Sequence, residues 1–161
     1  MRRRLFFLGV FFSLFFLSHS VWARSAFVVR VEDGSTIAVS DWPNSDRVDS
    51  IVRLYGIGAP AISQPFGKEA RDYLLRLAPK GTRVNIDTVN TDESGAEVAL
   101  LQIHGQSVNY MLISEGLAWV GRHTCKAPYC RRWYIEEHKA VEAKKGIWSL
   151  NISTEPWQWS R

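Results

Sequence analysis

The 161-residue sequence predicts an α+β domain, a five-stranded closed β-barrel of the oligonucleotide-binding (OB) type carrying three helices. Three observations predict it. Five short runs are β-branched or alternate apolar with polar residues, and turn residues separate them. One stretch of helical periodicity falls between the third and fourth runs, and two more follow the fifth. About 138 residues remain beyond a leader segment, enough for one proper core.

The elements follow in order. "AFVVRVEDGSTIAVSDW" reads as a hairpin: Phe27, Val29 and Val31 alternate, "EDGS" turns, and Ile37 and Val39 alternate on the return. "VDSIVRLYGIG" is a third strand, "RVNIDTV" a fourth through Val84 and Ile86, and "EVALLQIHG" a fifth, closed by Gly105. The first helix is expected after Ser63 as N-cap, with Pro65 in its first turn. Its apolar stripe is Phe66, Ala70, Tyr73, Leu74 and Leu77, and Pro79 with Gly81 ends it. "SVNYMLISEG" is a short second helix stopped by Gly116. The third runs from about Cys130 to Lys145 and stops at Gly146. Barrels of this type hold many ligand classes, so the fold alone does not decide function.

Residues 1–23 read as a secretory signal. Three arginines precede an apolar run from Leu5 to Leu17, and Val21 and Ala23 occupy the small-residue positions of a cleavage site. The apolar run is shorter than the roughly 20 residues that span a membrane. An uncleaved N-terminal anchor is the competing reading. The expected product is exported, periplasmic or secreted, with a domain at 24–150 and a tail at 151–161 bearing Trp157 and Trp159. That tail offers an aromatic contact site or docks back on the barrel.

Removing the leader changes the charge argument. The full chain has 20 Lys+Arg against 16 Asp+Glu; without three leader arginines it has 17 against 16, a net of +1. Whole-protein basicity therefore does not imply a polyanion partner. The basic segment Arg122, Lys126, Arg131, Arg132, Lys139, Lys144 and Lys145 still offers one, although Glu136, Glu137 and Glu142 are interleaved, as on an ordinary solvated helix face.

Cys125 and Cys130, in "CKAPYC", are expected to form a disulfide in an exported chain. A zinc site from His123, Cys125 and Cys130 is the alternative, lacking an evident fourth ligand. His104, His123 and His138 show no helical metal-pair spacing. Trp119, Trp133 and Trp148 fit core or helix-docking positions.

Five stretches now point to a family. "DGST" (33–36), "RLYGIGAP" (53–60), "PFGKEARDYL" (65–74), "GQSVNYMLISEGLAWV" (105–120) and "KKGIW" (144–148) resemble the staphylococcal nuclease (thermonuclease) family, in order, over about residues 26–149. The resemblance implies the same barrel with three helices. For active members it implies calcium-dependent cleavage of DNA and RNA phosphodiesters. Such chemistry needs several oxygen ligands for calcium, a general base for the attacking water, and fixed cations for the charge of the transition state.

Position by position, this sequence departs from that pattern. The family turn is Asp-Gly-Asp-Thr with a metal-binding second aspartate; here Asp33 and Thr36 match, and Ser35 replaces the ligand. Arg53 matches the phosphate-clamping arginine of the strand. Where active members read Ile-Asp-x-Pro-Glu, this chain reads Ile57-Gly58-Ala59-Pro60-Ala61, so Gly58 replaces a metal carboxylate and Ala61 the proposed base. In the later loop "DESGA", Ala96 replaces the second arginine. The resemblance therefore implies a barrel without its cleavage chemistry, no resident cofactor, and a binding role toward nucleic acid, another polyanion or a protein. Two other readings stand beside it. One is a weak phosphodiesterase with a remodelled calcium site from Asp33, Asp92 or Glu93; the other is a structural domain of an envelope complex. Asp41, Asp46 and Asp49 are expected too far from the "DGST" turn to substitute, Asp41 by about 15 Å at the strand rise per residue. Arg53 is expected either to contact phosphate or to pair with a neighbouring acid.

Overall fold

The structure, a computed structural model, describes residues 23–150 and Glu155. Residues 1–22 of the expected signal segment, with Trp157 and Trp159 of the expected tail, lie outside the described residues. Five strands form the barrel: β1 (Arg24–Asp33), β2 (Thr36–Ser40), β3 (Ser50–Leu54), β5 (Arg83–Thr91) and β6 (Glu97–Ile103). They lie in the order β3-β2-β1-β5-β6, and a parallel β3–β6 pairing closes the circle. Closure removes the free sheet edges that an open sheet would expose.

Alternation drives this arrangement, since residues two apart share a face. Ile37 and Val39, Val84 and Ile86, and Ala99 and Leu101 point inward and are fully buried. Each Ile or Leu so buried contributes about 1.5–3 kcal/mol. The first strand differs from the expected phase. Ala26, Val28 and Val31 belong to the core cluster, because the register against β2 shifts between Val28 and Arg30. That bulge changes which residues face inward, which simple alternation does not foresee.

The first helix, α1 (Gly67–Leu77), seals one end of the barrel with Ala70 and Leu74, both fully buried. It begins later than Ser63. Residues 61–67 are used in tight turns instead, with the Gln64 amide donating to the Ala61 carbonyl at 2.7 Å and the Gly67 amide to the Gln64 carbonyl at 3.0 Å. Phe66 takes the N-cap place in a left-handed conformation without a side-chain cap. A Cβ on Gly67 would lie 1.9 Å from the Ala61 carbonyl oxygen, so only glycine allows this approach.

The second helix, α2 (Val108–Ser114), starts as expected at Ser107, whose hydroxyl accepts from the Tyr110 amide. The third, α3 (Cys130–Glu142), ends three residues earlier than expected and is followed by a 3₁₀ turn at Gly146–Ser149. Three two-residue strands were not foreseen. β4 (Ile57–Gly58) pairs with β8 (Trp119–Val120), and β7 (Gln106–Ser107) pairs with β6. Pieces this short carry no periodicity to read.

A second apolar cluster lies outside the barrel wall, under α2 and α3. Ile113, Val120, Cys125, Cys130 and Trp133 form it, with Tyr55, Leu100, Tyr110, Tyr129 and Tyr134 against it. The expected Cys125–Cys130 disulfide is present, with Cα atoms 5.8 Å apart. It excludes zinc ligation by those two sulfurs. Trp119 and Trp133 are buried, and Trp119 meets Trp148 edge-on at 5.9 Å. Fully buried Asn109 accepts from the Leu101 amide and donates to the Tyr55 carbonyl, both at 3.0 Å, tying α2 to the wall. Glu137 on α3 is also buried. Its carboxylate accepts from the Val120 amide at 2.8 Å, and burial pushes its carboxyl up against the pull of that amide and of Arg122.

Candidate functional site

The positions that the family resemblance assigns to catalysis converge at one end of the barrel. The β1–β2 turn holds Asp33 and Ser35, and β3 holds Arg53 in register with Thr36. The Leu54 amide donates to the Ser35 carbonyl at 2.9 Å, fixing the turn on β3. Asp33 is spent locally: one carboxylate oxygen accepts the Ser35 amide at 2.7 Å and the Ser35 hydroxyl at 3.2 Å. This is the self-capping turn that Asp favours. Gly58 is held in the backbone pairing with Trp119. Ala59 is buried, and a Cβ on Gly34 would meet its methyl at 2.7 Å. The Ala61 amide donates to the Gln64 side chain, and Ala96 is buried. The replaced positions are therefore built into the wall and its turns.

Arg53, Asp92 and Glu93 do share an open depression with Asn90, Thr91 and Ser94. Arg53 Nε pairs with Asp92 at 3.3 Å, with the arginine more than half exposed. The pairing with a neighbouring acid, one of the two roles expected for Arg53, is present. The other Asp92 oxygen accepts the Ser94 hydroxyl at 2.6 Å and the amides of Ser94 and Ala96. The Ser94 hydroxyl, then the backbone amides and Arg53, hold the Asp92 carboxyl below its ordinary value, against the opposing effect of burial. The residues at the family's metal positions do not supply a calcium site. A hard cation takes six or more oxygens, while Ser35 and Gly58 bring no carboxylate, one Asp33 oxygen is spent on its own turn, and both Asp92 oxygens are engaged, one by its loop and one by Arg53. Among the described residues no group of three His, Cys, Asp or Glu is placed to hold a metal.

Asp41, Asp46 and Asp49 serve elsewhere. Asp41 pairs with Arg24 at 2.8 Å, Asp46 with Lys80, and Asp49 accepts from Ser40 and from the Asp41 amide.

The basic segment is distributed over several faces. Arg122 lies over the Tyr134 ring at 5.4 Å and 3.5 Å from Glu137. Lys139 pairs with Glu136, and Lys145 with Glu115. Arg132 lies over the Tyr110 ring at 5.1 Å, beside Tyr129 and Trp133. Arg131 is two residues from Tyr129 on α3, about 200° around the helix. Lys126 adjoins Tyr55, because its amide donates to the Tyr55 hydroxyl at 3.2 Å.

Sequence reasoning passed over Tyr55, Tyr110 and Tyr129. One signal was available: in "VRLYGIG" the alternation puts Tyr55 on the outer face with Arg53, while Leu54 goes inward. Tyr55 meets Tyr129 edge-on at 6.4 Å, and Tyr129 lies 5.2 Å from Trp133. No sequence pattern brings residues 55 and 129 together.

A closed five-stranded barrel with α2 and α3 on its outer wall, a proline turn beside the strand arginine and a capped acidic loop defines an OB-type domain of nuclease architecture. Residues 51–150 match the family described as Staphylococcal nuclease homologue, and the chain belongs to that family. It is similar to a micrococcal nuclease of Shigella flexneri, 33% identical over 143 residues that cover 83% of this chain and 79% of the relative. It is likewise similar to Protein ParB of Escherichia coli, 30% identical over 143 residues covering 83% and 77%. A probable staphylococcal-like nuclease of Oryza sativa subsp. japonica is 30% identical over 110 residues, 68% of this chain and 32% of the relative. The chain thus spans about a third of the length of that plant relative and of another from Capnoides sempervirens, where the share is 31%.

Proposed function

We propose that this chain is an exported member of the family that binds nucleic acid without cleaving it. The observation that carries this reading is the replacement of four functional positions at once. Ser35, Gly58, Ala61 and Ala96 stand where two metal ligands, the proposed base and an arginine would act, and Arg53 is retained beside them. Loss of a general base alone costs about 10²–10⁴-fold, and losses within one catalytic unit do not multiply. With the ligands gone as well, none of the positions that the family pattern gives to metal binding or water activation keeps its side chain. Arg53 still presents a guanidinium at the barrel mouth, suited to a phosphate oxygen.

The test is cleavage and binding of a labelled single-stranded oligonucleotide by the purified protein, with calcium and with chelator. The expected result is no chelator-sensitive cleavage, together with binding that weakens steeply as salt rises. Calcium-dependent cleavage lost on changing Asp33, Asp92 or Glu93 would replace this reading with that of a remodelled enzyme. Salt-insensitive binding would rule out a phosphate-directed interface.

A further inference from the structure

An unassigned aromatic surface runs along the outer wall, leading from Arg53 at the barrel mouth toward α2 and α3. It starts at Arg53 on β3, passes Tyr55 two residues on, crosses to Tyr129 at the start of α3, and ends where Arg132 lies over Tyr110. The β6 register measures its extent. Arg53 sits opposite Val98, and Gln102 sits opposite Ser107 at the foot of α2. Four residues of strand separate these points, about 13 Å.

We propose that this stripe is a binding site for single-stranded nucleic acid, in which bases stack on Tyr129 and Tyr55 while Arg53, Lys126 and Arg132 take the flanking phosphates. It rests on the reading that the ligand is nucleic acid. The charge pattern favours this occupant. Among the described residues neither Lys126 nor Arg132 has a carboxylate within ion-pair distance, whereas Arg122, Lys139 and Lys145 each do. Arg53, itself more than half exposed, has one carboxylate partner among the described residues, the half-buried Asp92. Two acids also face the stripe. Glu136 accepts from the Tyr110 hydroxyl at 2.7 Å and from Lys139, and the Tyr129 phenol is raised by burial first, then by Tyr55 and Asp87 beside it. That mixture disfavours a duplex, whose two phosphate rows put one charge on every 1.7 Å or so of axis. It suits a single strand, where stacking supplies much of the affinity and every base has a face to stack.

The test compares a labelled single strand of about 12 nucleotides with the matching duplex by fluorescence anisotropy. Tryptophan emission gives a second readout, its Trp133 part taken as the difference from a Trp133→Phe variant because the chain has seven tryptophans and the Trp133 ring lies against Tyr129. The parent protein is expected to prefer the single strand and to show a Trp133 change on binding. Tyr129→Leu should weaken single-strand binding about tenfold or more, and Tyr129→Phe should hold it within about twofold. Arg132→Gln, at an exposed position, should weaken binding and lower the salt slope by about one. If the single strand binds but Tyr129→Leu and Arg132→Gln bind it like the parent, the stripe is refuted while the nucleic-acid reading stands. Tight duplex binding insensitive to Tyr129→Leu refutes the stripe in the same way. If neither oligonucleotide binds, the underlying reading fails and takes this inference with it.

Discussion

Arg53 and Asp92 show how a single retained side chain can be kept poised. With Arg53 more than half exposed, its pair with Asp92 is worth no more than about 1 kcal/mol, because water and salt already solvate the guanidinium. Asp92 therefore restrains Arg53 only weakly, and a phosphate can displace it. The carboxylate has a second task, accepting the amides of Ser94 and Ala96 with its other oxygen. Asp92→Asn separates the two tasks, since an amide oxygen still accepts those bonds but the charge is gone. It should tighten oligonucleotide binding about three- to tenfold at low salt, with the gain fading as salt screens the patch. Titration by anisotropy at two ionic strengths checks this, and unchanged affinity at low salt would place Arg53 outside the interface. At this scale the four departures from the family pattern are legible in the letters, because a missing carboxylate or arginine shows there. The partner of Arg53 was left open, since an acid on a distant loop is adjacent only after the barrel closes.

Elements differ in how plainly they were written. The barrel strands and the three helices announce themselves through period-2 and period-3.6 patterns, and Ser107 and Gly116 mark the bounds of α2. The late start of α1 was hidden by the turns that consume residues 61–66, and the bulge in β1 shifted the inward face. The segment joining β8 to α3 depends on a covalent tie. Cys125 and Cys130 clamp the loop that presents Lys126 and Tyr129, and the loop is pressed on the turn after β3. Gly56 there has φ +70°, and a Cβ on it would fall 2.8 Å from Cys125 Sγ. A loop this short gives about 2 kcal/mol of stabilisation in the chain-entropy account. The double variant Cys125→Ala with Cys130→Ala should lower unfolding free energy by about that amount in denaturant titration. It should also weaken single-strand binding, because Tyr129 loses its fixed seat. A normal binding constant in the destabilised variant would show that the loop's order does not matter to the ligand.

For the whole molecule, the decisive step is closing the barrel, and one side chain at the first position of β1 spans the closure. Arg24 donates to Ser50 on β3 at 2.6 Å, pairs with Asp41 after β2, and reaches Glu97 at the start of β6. β3 and β6 are the strands whose parallel pairing completes the circle, at Val52–Glu97 and its neighbours. Burial alone would push the Glu97 carboxyl up, but the bonds from Arg24 and from Thr88 outweigh it and hold it below its ordinary value. The sign follows. A carboxyl lowered in the folded state binds fewer protons there than in the unfolded chain, so its contribution is complete above the unfolded value of about 4.3 and is lost as pH falls through the lowered one. Arg24→Ala leaves Glu97 four-fifths buried without its charge partner, which should cost about 1–3 kcal/mol near neutral pH. Thermal melts of parent and variant from pH 7 down to pH 3 test the assignment. The difference between them should be largest at pH 7 and shrink as Glu97 protonates. A gap that stays constant across that range would mean Arg24 acts through packing of its stem, and that the seam is held by backbone pairing alone.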